Sequence, residues 1–391
     1  MFFLNLLVNL SLKRIMAGLY IHIPFCKTRC IYCGFYSTTM EQKKDRYIEA
    51  VCQEMTMRPS LDIIKTIYIG GGTPSQLNGK QLHKLFKHIY NIYNVDNDAE
   101  VTIECNPDDI SPEFVEILKS LPVNRVSIGI QTFSDKHLQF IRRRHSSTQA
   151  INAVELVRNA GINNISIDLM FGFPNETMEE WQTDLSQAIK LNCKHISAYS
   201  LMYEEGTPLY LMANMDDADK VKPLDDETVA EMYKTMVNCF TTAGYEHYEI
   251  SNFAKPTYRS RHNSSYWQRV EYIGIGAAAH SYDLRSRWWN RANLDQYIEQ
   301  VESGQLPVEE SEDLNISMQY NDMVTTALRT CEGISMSLVR QLFGDYFLQY
   351  LRRNSQKNIA RDLLEITGDY IHLTKEAVII SDSVISDLIY L

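Results

Sequence analysis

Six times between about residue 17 and residue 245, a short apolar, β-branched run is followed by a stretch of helical periodicity. The strand signals are LYIHI (19–23), TIYI (66–69), EVTIE (100–104), RVSIGI (125–130), ISIDLM (165–170) and HISAYS (195–200). Helical spacing fills roughly 41–57, 79–92, 111–120, 148–159, 178–191 and 227–242. Thr177, with Glu180 three residues on, reads as a capping box before the fifth of these helices. Such an alternation calls for parallel strands covered by helices, either as a doubly wound sheet or as a partial barrel.

The residues that end the strands choose between the two. Cysteines follow the first strand, and Gly70, Gly71, Gly72, Thr73 and Pro74 follow the second. Glu104 and Asn106 end the third, Gln131 follows the fourth, Asp168 lies in the fifth, and Tyr199 and Ser200 close the sixth. Parallel strands bring their C-terminal ends to one face, so these residues converge on a single mouth, as barrel active sites do. The expected fold is therefore α/β, a partial (β/α)6 barrel over residues 16–245. A loop-rich linker over 246–310 follows, then a helical domain over 311–391 whose EITGDYIHLT segment reads as a hairpin. That C-terminal α+β extension is expected to end in a small winged-helix-like unit.

A chain of 391 residues with 45% hydrophobic and 22% charged residues can bury a full core. Its net charge of −11 argues against a nucleic-acid partner. The acids between Glu204 and Glu227 read as a solvated linker. The opening MFFLNLLVNLSLKRI carries its charges after the apolar run, and it is shorter than the roughly 20 residues that span a bilayer. Met16 opens MAGLYIHIPFC and reads as a natural start, so residues 1–15 are expected to be dispensable; a short membrane-associating segment is the other reading.

Of eight cysteines, five are scattered and three fall together in CKTRCIYC, as Cys26, Cys30 and Cys33. That distribution suits a reducing compartment with one metal site. Three thiolates on one loop can cap three irons of a cubane and leave the fourth open, whereas a zinc site asks for four ligands and a second pair is missing.

CxxxCxxC resembles the radical S-adenosylmethionine (SAM) superfamily. YIHIPFC, GGGTP and IECNP narrow the likeness to the group holding the oxygen-independent coproporphyrinogen III dehydrogenase and the heme chaperones. It runs from Tyr20 to about Arg329. The resemblance implies a [4Fe–4S] cluster on the three cysteines, whose open iron binds SAM, and cleavage of SAM to methionine and a 5′-deoxyadenosyl radical. It implies that the backbone at Gly71, Gly72 and Thr73 approaches the SAM amino group, that Glu104 accepts from the ribose hydroxyls, and that Tyr20 and Tyr32 pack beside SAM. Gln131, Arg143 and Asp168 match positions that contact a second SAM in the dehydrogenase.

Two departures separate this chain from the dehydrogenase. Phe35 stands where that enzyme resembles a fourth cysteine, and only nineteen residues precede Tyr20 in place of a long arm. SRHNSSYW (260–267) matches the HNxxYW motif of the heme chaperone family, and ALRTCEGI (327–334) its later segment. That likeness implies heme as a third bound group and apo-hemoproteins as recipients, respiratory ones at the membrane among them. It also implies an electron donor such as flavodoxin or ferredoxin, and a cytoplasmic protein peripheral to the inner membrane face. SAM cleavage stays open, and coproporphyrinogen III dehydrogenase activity is not expected. Within HNxxYW, His262 is the expected heme ligand, with His280 as its rival and Arg259 and Arg261 facing the propionates.

Overall fold

Six parallel strands lie side by side in chain order: β1 (Met16–Ile23), β2 (Ile63–Gly71), β3 (Asn94–Cys105), β4 (Arg125–Gln131), β5 (Asn164–Phe171) and β6 (His195–Ser200). The computed structural model describes residues 16–60, 62–215 and 220–391; residues 1–15, and part of the acidic run, lie outside the described residues. Each of the six strands coincides with an expected run. The register sets Tyr20 beside Tyr68, Glu104 beside Ser127, and Asp168 beside Gly129, so residues from neighbouring strands meet at the same height.

The helices cover this sheet for reasons local to their sequences. In the helix Gly79–Ile92, Leu82, Leu85, Phe86 and Ile89 are buried at i, i+3, i+4 and i+7 spacing. Removing one such side chain to Ala costs about 2–5 kcal/mol. The capping box of Thr177 and Glu180 is formed, and Asn78 with Gln81 and Ser146 with Gln149 make two more. Each satisfies helix-end amides that would otherwise lack partners.

The stretch 246–310 is more ordered than its weak periodicity suggests. β7 (Glu246–Glu249) and β8 (Asn252–Ala254) form an antiparallel edge on β6. β9 (Tyr272–Ile275) pairs in parallel with β1 at the opposite side. There β10 (His280–Tyr282), β11 (Ser286–Asn290) and β12 (Val308–Asp313) extend the sheet antiparallel. The result is one open twelve-stranded sheet with β12 and β7 at its edges. These strands are three to six residues long and mix polar with aromatic residues, so no apolar run announces them.

The C-terminal unit has its own core, built on Tyr320, Val324, Val339, Leu351 and Ile371. The helices Ile316–Ala327 and Met336–Ile359 pack on a three-stranded antiparallel sheet of β13 (Ile334–Ser335), β15 (Tyr370–Leu373) and β14 (Leu364–Thr367). Among the described residues, no helix is long and apolar enough to cross a membrane.

Candidate functional site

The loop after β1 carries Cys26, Cys30 and Cys33 as free, half-buried thiols. Its base is closed by hydrogen bonds from Cys26 N–H to the Thr38 carbonyl (2.9 Å) and from Thr38 N–H to the Pro24 carbonyl (2.7 Å). Cys26 Sγ lies 3.4 Å from Thr73 Oγ1, and the Arg143 guanidinium reaches within 3.7 Å of Cys30 Sγ. Burial pushes the Cys26 and Cys33 thiols up, so a cationic group is needed to draw them to thiolate. Among the described residues, no three His, Cys, Asp or Glu side chains converge closely enough to share one metal ion. A cubane does not ask for that convergence, because each thiolate caps a separate iron. Three free thiols on one loop, beside a guanidinium, fit such a cluster.

At the mouth, Tyr20, Glu104, Gln131 and Asp168 are half-buried in strands whose neighbouring residues are otherwise buried. Glu104 accepts hydrogen bonds from Tyr68 OH (2.6 Å) and Gly71 N–H (3.1 Å). Burial, opposed by those bonds and reinforced by Asp168, pushes its carboxyl up to about 7. Burial likewise raises Asp168 to about 6, against the pull of Arg125. Gly71 has φ +115°, and a Cβ there would stand 2.6 Å from the His22 ring. A Cβ at Gly72 would meet the Pro24 carbonyl carbon at 2.8 Å and Cys26 Sγ at 3.1 Å, so the backbone passes the cluster loop as closely as a chain can.

Arg143 donates to Asn106 Oδ1 (2.8 Å) and to the Gly129 carbonyl, while its Nε has no partner among the described residues. A buried, unsatisfied guanidinium N–H beside the cluster loop fits an anionic carboxylate such as that of SAM. Gln131 takes a left-handed φ of 71° where β4 ends. Tyr32 lies against Cys30 and Arg143, its phenol pushed up by burial. Of the expected SAM residues, Thr73 and Gly72 approach Cys26, and Arg143 and Tyr32 approach Cys30.

His262 sits at the start of the helix that carries the HNxxYW motif. Its helix, Arg261–Trp267, is capped by Ser260 and points its first amides at Glu100, which accepts from Arg261 N–H (3.2 Å) and His262 N–H (3.0 Å). The His262 ring is buried, with Nδ1 2.8 Å from Thr66 Oγ1 and Nε2 2.8 Å from Tyr266 OH. It also stacks 5.1 Å from the Tyr68 ring. Both nitrogens are engaged inside the protein, one toward β2 and one toward the cavity-lining Tyr266. Arg259 pairs with Glu332 and Glu246, and Arg261 reaches the Asp98 carbonyl, so neither is free for propionates.

Tyr266 and Trp267, from the same motif, do reach an open space. They line a cavity of about 760 Å³ between the cysteine loop, strands β9 to β11 and the helix Ile316–Ala327. Phe35, Tyr36, Tyr272 and Tyr282 add aromatic walls, and Arg269 and Arg287 supply cations. That size falls within the range of cofactor and small-molecule sites. Thr66 and Glu100 escaped the sequence reading, since nothing local marks them as partners of a residue far along the chain.

Residues 20–188 match the radical SAM superfamily, and residues 318–380 match the HemN C-terminal domain. The heme chaperone HemW of Bacillus subtilis (strain 168) is 35% identical over 378 residues, covering 94% of this chain and 98% of that one. The heme chaperone HemW of Escherichia coli (strain K12) is 36% identical over 268 residues, or 67% and 69% of the two chains. The solved structure of coproporphyrinogen III oxidase (HemN) from Escherichia coli, a radical SAM enzyme, shares the fold with a TM-score of 0.83. It covers 96% of this chain and 90% of its own at 22% identity, so that likeness speaks for architecture alone. With full-length relatives above 30% identity and the cysteine loop, glycine turn and HNxxYW helix in place, the chain belongs to the heme chaperone HemW family of radical SAM proteins.

Proposed function

We propose that this protein is a heme chaperone that takes heme into the aromatic cavity beside its cysteine loop and passes it to apo-hemoproteins. The observation that carries this reading is the cavity: flat aromatic walls, two cations and two histidines at a site open to the surface. A macrocycle with two propionates asks for those features. Cys26, Cys30 and Cys33 would hold a [4Fe–4S] cluster, and Gly71, Gly72, Thr73, Glu104 and Arg143 would hold SAM against it. Together the cluster and SAM supply one-electron chemistry when bound.

The chain's own residues do the rest. Glu104 accepts from hydroxyls, Arg143 offers an unpaired N–H to a carboxylate, and Gly72 lets the backbone pass close beside the Cys26 thiol. Phe35, 72% exposed on the cavity wall, presents a ring where the dehydrogenase resembles a cysteine. That favours holding a porphyrin over transforming it. Delivery to respiratory hemoproteins at the inner membrane face, and reduction by a flavodoxin or ferredoxin, complete the proposal. Hemin titration of the purified protein tests it: saturable binding near one heme per chain supports the reading, and only non-saturable partitioning overturns it.

A further inference from the structure

The short turn Pro107–Asp109 follows β3, and its last residue reaches three separate loops of the site. Asp109 Oδ1 accepts from Lys27 Nζ at 3.4 Å, from inside the cysteine loop, and from Arg144 Nη2 at 3.3 Å, beside Arg143. Asp109 Oδ2 accepts from Ser75 Oγ at 2.9 Å, two residues past Thr73. The Asp109 side chain is only 3% exposed, so water screens these bonds poorly. Pro107 fixes the entry to the turn, and Asp109 N–H returns to the Asn106 carbonyl at 3.0 Å, so the backbone aims the carboxylate. Asn106 reaches the same loops by a second route. Its N–H donates to Ser75 Oγ at 3.1 Å, its Oδ1 accepts from Arg143 Nη2 at 2.8 Å, and its Nδ2 lies 3.4 Å from Thr73 Oγ1. Asp108 adds a 2.6 Å ion pair to Arg144, so two carboxylates hold that arginine.

We propose that Asp109 is a positioning residue for the SAM site, locking the glycine turn, the Arg143 segment and the cysteine loop at one spacing. The inference rests on the reading that this site holds a cluster and SAM. A ligand that meets one iron through both its amine and its carboxylate tolerates little movement between the protein groups receiving each end. The glycine turn is the expected partner of the amine, and Arg143 that of the carboxylate. Asp109 joins those two segments through Ser75 and Arg144. It hydrogen-bonds through its side chain to none of the cysteines and to none of the expected SAM residues, so its effect passes through these neighbours. The Lys27 contact is the weakest of the three, because that side chain is half exposed. It brings the cysteine loop to the same anchor.

The test is SAM binding to anaerobically reconstituted wild type, Asp109→Asn, Asp109→Ala and Ser75→Ala. All four keep the three cysteines and should reconstitute four irons per chain. SAM affinity should fall about tenfold in Asp109→Ala. It should fall less in Asp109→Asn, whose side chain still accepts from Ser75 but carries no charge for Arg144. Electron paramagnetic resonance of the reduced cluster gives a second readout: saturating SAM should perturb the signal less in Asp109→Ala than in wild type. Affinity for 5′-deoxyadenosine, which lacks the amino-acid end, should match wild type in every variant. Unchanged SAM affinity and signal in Asp109→Ala would overturn the proposal. Equal weakening of SAM and 5′-deoxyadenosine would overturn it too, as the mark of a general loss of structure. Where Asp109→Ala yields no folded protein, Asp109→Asn and Ser75→Ala decide by the same two ligands. A wild-type cluster signal that ignores SAM would overturn the SAM reading itself.

Discussion

His262 and Tyr266, one helical turn apart, share a 2.8 Å hydrogen bond between Nε2 and the phenolic oxygen. The bond ties the HNxxYW helix to β2, because the same ring meets Thr66 Oγ1 through Nδ1. The histidine of the motif therefore works as a post beneath the cavity, and Tyr266 and Trp267 work as its wall. Replacing His262 by Ala leaves the buried Thr66 hydroxyl and the Tyr266 phenol without their shared partner. The expected loss is about 2–4 kcal/mol in denaturant unfolding. A variant as stable as wild type but blind to heme would mark His262 as a heme ligand alone.

A second consequence concerns acid stability. Burial, with Arg125 nearby, lowers the His262 pKa to about 3, and burial lowers His22 to about 4 and His145 to about 3. Below the ordinary value of 6.5 the unfolded chain takes up protons that these folded rings refuse. Their contribution is complete above 6.5 and falls away as pH drops toward 3. His262→Gln should show a shallower decline of unfolding free energy between pH 6 and pH 4 than wild type, by roughly one proton's worth of slope. Parallel slopes would mean that the ring titrates normally in the fold.

The six parallel strands were readable because each is a buried, β-branched run flanked by helix signals, and buried parallel strands need little else. The outer strands were not. β7 and β8, and β10 with its neighbours, have edges whose residues serve partners across the sheet, and three residues carry no period. At the site, Cys26, Cys30 and Cys33 declare themselves by spacing, and the glycine turn by composition. His262 shows the limit: a motif names the residue, but its role depends on Thr66 and Glu100, which lie more than 160 positions away.

The cluster makes a sharper demand. Each thiolate closes one corner of a cubane. Cys26→Ala, Cys30→Ala and Cys33→Ala should each fail to reconstitute four irons per chain, whereas Cys52→Ala, Cys193→Ala and Cys239→Ala should succeed. Iron and acid-labile sulfide analysis decides it, and a full four-iron complement in Cys30→Ala would refute the assignment.

SAM binding should depend on Glu104 and on pH. A carboxylate accepts from two ribose hydroxyls, and a carboxylic acid must spend one oxygen as a donor. With the group poised at about 7, SAM affinity should rise as pH increases through neutrality. Glu104→Gln should bind about tenfold more weakly and lose that pH step, consistent with about 1.5–3 kcal/mol for hydrogen bonds to a charged group. Calorimetry from pH 6 to pH 8.5 measures both; a Gln variant that kept the step would place the titration elsewhere.

Under reducing, SAM-replete conditions, the protein should not convert coproporphyrinogen III over multiple turnovers. Phe35 cannot offer a thiol, and its exposed ring fills part of the cavity wall. Porphyrin fluorescence after oxidation of the product gives the readout. Sustained turnover above a no-protein control would shift the protein to the dehydrogenase side of its group.

Heme transfer tests the central claim most directly. Protein loaded with one equivalent of hemin is mixed with an apo-hemoprotein, the two are separated, and the Soret spectrum of each is recorded. The account predicts that heme appears in the acceptor faster than from a heme-loaded albumin control, with matching loss from this protein. Heme that stays bound, or reaches the acceptor only at the rate of free exchange, would contradict it.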